Sequence, residues 1–201
     1  MSKFIDIQNV YFEDYASRKI SLNINGEPVR FQIPKLYMPF GLSGFEADYG
    51  PKKWNIDFAL KGYMEDGQTK RFYEFLRNLE GAVITHVCNN SQQIFGRQMP
   101  YETVEAMFNS NIKLSNNGYE PKFRVKVDVD TDGHVKPKIF DSNEVEQSSE
   151  ISEKLHSRQT GIAIVEVSNV YFMNKMFGLT WKLVQLKVFE PQNLKGFQFN
   201  T

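Results

Sequence analysis

The chain has 201 residues, and its 24 Lys and Arg balance 24 Asp and Glu, giving a formal net charge of zero. That length suits one domain, or one domain with a substantial insertion, and the balance removes bulk charge as an argument for an acidic or basic partner. A single cysteine, Cys88, excludes an intrachain disulfide and fits a reducing compartment.

The start, "MSKFIDIQNV", lacks a basic-then-apolar signal pattern, and no apolar run reaches membrane-spanning length. The expectation is a soluble intracellular protein.

Residues 18–33, "RKISLNINGEPVRFQI", predict a hairpin. Ile20, Leu22 and Ile24 alternate with polar residues, Asn25-Gly26 supplies a tight turn, and Val29, Phe31 and Ile33 alternate again. In "YMPFGLSGF", Gly41 lies between bulky apolar groups, and "FGLTWKL" repeats the pattern at Gly178. Each glycine is expected to turn the chain or to admit another backbone at the start of a strand.

"KKWNIDFALKGY" (52–63) puts Trp54, Ile56, Phe58 and Leu60 on one face and Asn55, Asp57 and Lys61 on the other, a half-buried strand. From Asp66 to Ser91 the apolar positions Phe72, Phe75, Leu76, Leu79, Val83 and Val87 step by three and four. That spacing predicts one amphipathic helix, or two broken near Gly81. Gly96 in "NNSQQIFGR" fits a left-handed helix cap, with Phe95 packing back and Arg97 projecting from a loop.

"PYETVEAMF" (100–108) predicts a further short helix, and "KFRVKVDV" (122–129) returns to strand with Arg124, Lys126 and Asp128 on its polar face. Residues 141–160 are polar and acidic and read as a loop or loose helix. Two strands close the chain, 161–172 and 179–189. In the second, the apolar face switches after Leu183, as a bulge would make it do. About seven strands with a helical insertion favour a mainly β, α+β fold, a small antiparallel barrel or sandwich.

Candidate chemistry is thin. "DVDTDG" (128–133) starts like a calcium loop, but Lys136 and Ile139 stand where its later ligands belong, so a hairpin turn at Asp132-Gly133 is the reading. Zinc needs clustered Cys and His, and His86 and Cys88, two apart on a helix, face different ways. With no Gly-rich phosphate loop, no nucleophile motif and no marked acid–base pair, the expectation is no enzyme, no metal and no cofactor.

What remains is the interleaving of cations and aromatics, in a chain with 17 Phe, 9 Tyr and 2 Trp. Lys35 with Tyr37, Lys52-Lys53-Trp54, Lys61 with Tyr63, Tyr119 with Lys122 and Arg124, Tyr171-Phe172 with Lys175, and Trp181-Lys182 all show it. Cations that follow phosphates and aromatic faces that take bases are the ingredients of single-strand binding. Alternation along strands, with aromatics in the core and lysines in water, produces the same pattern.

Four stretches in order carry a resemblance: "PKLYMPFGLSGFEADYGPKKWNIDFALKG" (34–62), "NNSQQIFGR" with "PYETVEAMFNSNIKLS" (100–115), "GYEPKFRVKVDVD" (118–130) and "VSNVYFMNKMFGLTWKLVQLKV" (167–188). Over residues 34–190 the chain resembles the single-stranded DNA-binding proteins of large eukaryotic DNA viruses, relatives of the podophage replication type. The resemblance implies a single OB-fold-like domain over 1–201. It would be a partly open antiparallel barrel with a helical insertion at about 66–110 and an acidic flexible connector at about 141–160.

The resemblance further implies sequence-independent binding of single-stranded DNA in viral replication, recombination and repair, beside a viral DNA polymerase and helicase-primase. It also implies no membrane and a place in the host cytoplasm or nucleus where viral DNA replicates, and it leaves the oligomeric state open, a homo-oligomer being one option. The candidate contacts are Lys35, Tyr37, Phe40, Trp54, Arg97, Arg124, Lys126, Tyr171, Lys175 and Trp181.

One departure stands out. The phage relatives end in an acidic tail closed by an aromatic, whereas here the acidic stretch is internal, at 141–153. Without it the chain carries 24 basic against 19 acidic groups. The expectation is a strap that lies over a basic groove and is displaced by DNA. The rival function is a non-enzymatic structural or scaffolding protein of a viral assembly, with its aromatics and edge strands used for protein contacts.

Overall fold

The computed structural model describes residues 5–46, 50–115, 117–147 and 150–190. A short strand β1 (Tyr11–Phe12) pairs with β2 (Lys19–Ile24), and β2 turns into β3 (Glu27–Gln32). The turn is the expected one, with Asn25 and Gly26 at φ of 52° and 82°. β4 (Leu36–Met38), β5 (Leu42–Phe45) and β6 (Lys53–Ala59) follow, and β6 buries Trp54, Ile56 and Phe58 as its alternation requires.

The three-and-four spacing then folds as one unbroken helix, α1 (Gln68–Asn89), which runs through Gly81. It buries the apolar positions named above, from Phe72 to Val87. Burying each such side chain contributes about 1.5–3 kcal/mol, enough to hold one glycine inside a helix at a cost of about 1 kcal/mol. A single turn, α2 (Ser91–Phe95), ends at Gly96, whose φ of 76° and N–H bond to Gln92 O make the expected left-handed cap. The Phe95 ring reaches forward to Phe172, centroids 6.1 Å apart. A short α3 (Tyr101–Ala106) completes the insertion.

Next come β7 (Ile112–Lys113), β8 (Lys122–Val127), β9 (Lys138–Phe140) and β10 (Glu146–Gln147), then the long hairpin of β11 (Gln159–Met173) and β12 (Met176–Phe189). The ladder β11–β4–β6–β8–β12 returns to β11, so five strands close a barrel. The barrel is antiparallel except where β12 meets β8 in parallel. Two of its seams are thin: β4 meets β6 at Tyr37–Ala59 alone, and β8 meets β12 at Lys126–Lys182 alone. β2 and β3 extend the sheet beyond the ring along β11.

Inside, Trp181 makes edge-to-face pairs with Phe31 and Phe123, with centroids 5.6 and 5.0 Å away and rings near perpendicular. Such edge-to-face pairs add about 0.5–1.5 kcal/mol beyond the area they bury. α1 brings Phe72 to Phe123 and Phe75 to Phe31, at 5.4 and 4.9 Å, so the insertion packs onto the barrel through one aromatic cluster.

Two bulges shape the closing hairpin. Register slips past Val184 on β12, so Leu179, Trp181 and Leu183 are buried before it and Leu186 and Val188 after it. That is the face switch legible in the sequence. A second slip passes Ser168 on β11. Ala163, Val165 and Val167 point inward before it and Val170 after it, so Tyr171 is turned out of the core.

The two FGL[ST] glycines both admit backbone. A Cβ on Gly178 would sit 2.7 Å from Asn109 O, and one on Gly41 would run into Leu155 O and Ser157 N. Gly41 also has φ of 64°. In "DVDTDG", Asp130 Oδ1 accepts the N–H groups of Asp132 and His134, at 3.0 and 2.8 Å, and closes the turn on itself. None of the helices among the described residues is long and apolar enough to cross a membrane.

Candidate nucleic-acid interface

The outward face of β8 carries Lys122, Arg124 and Lys126, since Phe123, Val125 and Val127 take the core. Across the ladder, Lys126 pairs with Asn55 and Arg124 with Asp57 of β6, while Lys126 also meets Lys182 of β12. A groove of about 610 Å³ opens over this face. Its cations are Arg18, Lys53, Lys113, Arg124 and Lys126. Phe45 and Tyr171 stand at its sides, with Phe172 and Met173 of the hairpin end beyond Tyr171. Asn55, Asn109, Asn111, Ser110 and Thr180 add neutral donors and acceptors. Among the described residues, no carboxylate lines it.

The segment from Asn109 to Lys113 forms one rim, and five contacts fix it. Asn109 N donates to Phe177 O at 2.7 Å, and its side-chain amide donates to the Tyr171 hydroxyl at 2.9 Å. Arg124 N donates to Asn111 O at 2.9 Å, and the Asn111 amide donates back to Arg124 O at 3.1 Å. Below them, Ser110 Oγ donates to Glu80 Oε1 of α1 at 2.6 Å. The helical insertion thus holds the rim through a carboxylate that is 5 % exposed. Burial pushes the Glu80 carboxyl up, and the Ser110 bond and the Arg77 charge oppose this only in part.

The cations differ in their commitments. Lys113 Nζ donates to Asn109 Oδ1 and Ser110 O, and burial, with Arg124 nearby, holds its ammonium below the usual lysine range. Lys126 lies 2.6 Å from Asp128. Burial opposes the Asp128 charge, but the Lys126 hydrogen bond and charge outweigh it and bring that carboxyl below its ordinary range. Among the described residues, Arg18 and Lys53 have no carboxylate partner.

Of the residues picked from the sequence, the structure brings Arg124, Lys126 and Tyr171 together in this groove. Trp181 reaches its floor but is 2 % exposed, and Trp54 is 9 % exposed beneath the Lys52 ammonium. Both tryptophans are buried and belong to the core cluster. Phe40 is 49 % exposed with Lys122 Nζ 5.4 Å above its ring, and Tyr37 is 41 % exposed. Tyr37 pairs with Ala59, and Ala59 with Lys122, so these residues extend the same surface along β8. Lys35 lies over Phe189 at 3.8 Å. Arg97 sits in the loop beyond α2 and Lys175 in the β11–β12 turn, both exposed and neither lining the groove.

The candidate contacts picked from the sequence left out Arg18, Phe45, Lys53, Lys113 and the three asparagines. For Lys53 and Asn55 the signal was present: they occupy the face opposite Trp54, and once Trp54 is core they must face out beside Arg124 and Lys126. The acidic strap is elsewhere. Glu144 pairs with Lys187 at 2.8 Å, Glu146 with Lys138 at 3.2 Å, and Glu153 with Lys52 at 2.8 Å. Those ion pairs tie the segment to β9, β12 and the residue before β6. None of its described residues lines the groove, so the described part of the strap does not lie over the cations.

Comparison with solved structures finds the single-stranded DNA-binding protein of bacteriophage Enc34, at 9 % identity and a TM-score of 0.49, with 93 % of each chain covered. The same phage protein in complex with single-stranded DNA gives 8 % and 0.46, covering 94 % of this chain and 99 % of that one. The bacteriophage T7 single-stranded DNA-binding protein gp2.5 gives 13 % and 0.48, covering 84 % and 90 %. Likeness at this level does not bear on what the chain binds. No curated protein sequence matches it. The profile of one family, described as a family of unknown function (DUF5871), matches residues 69–199, from the first turn of α1 through the whole closing hairpin. The chain belongs to that family.

Proposed function

We propose that this protein binds single-stranded DNA without regard to sequence and without catalysis. The observation that carries the reading is the groove itself. Five cations and two accessible aromatics, Phe45 and Tyr171, converge on one concave face that no described carboxylate lines. Cations hold the phosphates of a strand, and each base stacked on an aromatic adds about 1–3 kcal/mol irrespective of its identity. The amides of Asn55 and its neighbours suit sugars and base edges alike, which tolerates any sequence.

The setting follows from the sequence resemblance over 34–190: coverage of exposed strands in viral DNA replication, recombination and repair, inside the host cell. There the protein works beside a viral DNA polymerase and helicase-primase. The test is a gel shift with labelled oligo-dT, duplex DNA and RNA over a salt series. We expect oligo-dT to shift at low salt and micromolar protein, with affinity falling steeply as salt rises. No shift under those conditions overturns the reading, and a stable oligomer indifferent to nucleic acid favours the scaffold instead.

A further inference from the structure

Arg124 lines the groove with Asp57 of β6 buried beneath it, and their pairing is unlike that of the cations around them. They are register partners on β8 and β6. Arg124 Nε and one Nη donate to the two carboxylate oxygens at 2.8 and 2.9 Å. The Asp57 side chain is 7 % exposed and that of Arg124 44 %. The aspartate lies beneath, and the guanidinium covers it.

This geometry has three effects. The pair is electrically neutral, so Arg124 brings little net charge to the groove it lines. Pulling Arg124 onto a phosphate would strip a buried carboxylate of its counterion, which the interior resists. And a two-point fork fixes the guanidinium plane, while the side chain stays 44 % exposed to whatever enters. Planar guanidinium groups stack on bases.

We propose that Arg124 is a flat, charge-compensated stacking platform for a base, with Asp57 the positioning residue that sets its plane. The phosphates are left to the cations alongside, Lys53, Lys126 and Arg18 first among them. The proposal rests on the single-strand reading above and deepens it.

The experiment compares binding of oligo-dT with binding of an abasic oligonucleotide of the same length, each over a salt series. R124K keeps the charge and loses the plane. We expect it to weaken oligo-dT binding about tenfold or more, leaving abasic binding and the salt slope unchanged. D57N frees the guanidinium by removing its compensating negative charge, and we expect tighter abasic binding with a slope steeper by about 0.7. Equal loss on both ligands with a shallower slope would make Arg124 a phosphate contact and overturn the proposal, as would R124K binding both ligands like the parent.

Should R124K fail to fold, the double variant D57V/R124V keeps the net charge and places two β-branched residues across adjacent strands. The same selective loss on oligo-dT is expected of it, and undiminished oligo-dT binding refutes the platform. Failure of the unmodified protein to bind oligo-dT defeats the parent reading and this one with it. Binding by the unmodified protein leaves the variants to judge Arg124 alone.

Discussion

Gly178 and Tyr171 are register partners across the closing hairpin, and a Cβ on Gly178 would lie 2.9 Å from the Tyr171 hydroxyl. The missing side chain is what lets the tyrosine lie over β12 and take the Asn109 amide. Gly178→Ala should therefore displace both Tyr171 and the Asn109 carbonyl. We expect a loss of about 1–3 kcal/mol in urea unfolding and a weaker affinity for oligo-dT. Full stability with full binding would show that the close approach is not needed.

Gly41 is under a harder constraint. Its φ is positive, and a Cβ would meet the backbone at Leu155 and Ser157, which cannot swing aside as a side chain can. Gly41→Ala should cost more than Gly178→Ala, upwards of about 3 kcal/mol. The loop it faces holds Lys154, His156 and Arg158 at φ of 64°, 62° and 60°. Lys154→Gly should thus gain up to about 1 kcal/mol, because the left-handed strain disappears. Thermal melts of the two variants check both directions.

Trp181→Phe should retain the fold and bind oligo-dT within about twofold of the parent, since a core position accepts a smaller aromatic with repacking. Trp181→Ala should lose about 3–5 kcal/mol. A Trp181→Phe variant that stays folded and no longer binds would return the residue to the interface.

Charge removal should be legible in the salt slope. Lys53→Ala should make the plot of log affinity against log salt shallower by about 0.7, the contribution of one phosphate contact to a single strand. Lys126→Ala should do less, because Asp128 already compensates part of its charge. Identical slopes for Lys53→Ala and the parent would take Lys53 off the path of the phosphates.

Glu80 gives a pH signature. Burial raises its carboxyl in the folded state, so the native protein holds that proton more tightly than the unfolded chain. Stability from this group is then complete below the ordinary carboxylate range and is lost as pH rises through the raised folded value. Glu80→Gln keeps an acceptor for Ser110 and cannot ionise. Its stability advantage over the parent should open as pH climbs from about 4. Parallel melting curves at every pH would contradict this.

Local pattern delivered most of the elements. Asn25-Gly26 announced its hairpin, the spacing from Phe72 to Val87 its helix, and the polarity switch after Leu183 its bulge, because each depends on neighbours a few positions apart. The groove depends on distant ones. Asp57 and Arg124 are 67 positions apart, and nothing in either neighbourhood says that they will pair. The Ser168 bulge, which turns Tyr171 outward, leaves no comparable trace, since Ser and Asn suit either face. Trp54 and Trp181 show the converse limit: an aromatic beside a lysine has the same signature whether its ring stacks on a base or fills the barrel.

The thin seam between β8 and β12 carries a mechanical consequence. Lys126 and Lys182 are the register pair at that joint, two like charges at one of the two thin seams of the barrel wall. Asp128, 2.6 Å from Lys126 and also under the charge of Lys182, offsets part of their mutual repulsion. A polyanion laid across them would cancel that repulsion and brace the joint, so the cargo would also serve as a rivet. Amide protons of β8 and β12 should then exchange more slowly with oligo-dT bound than without it.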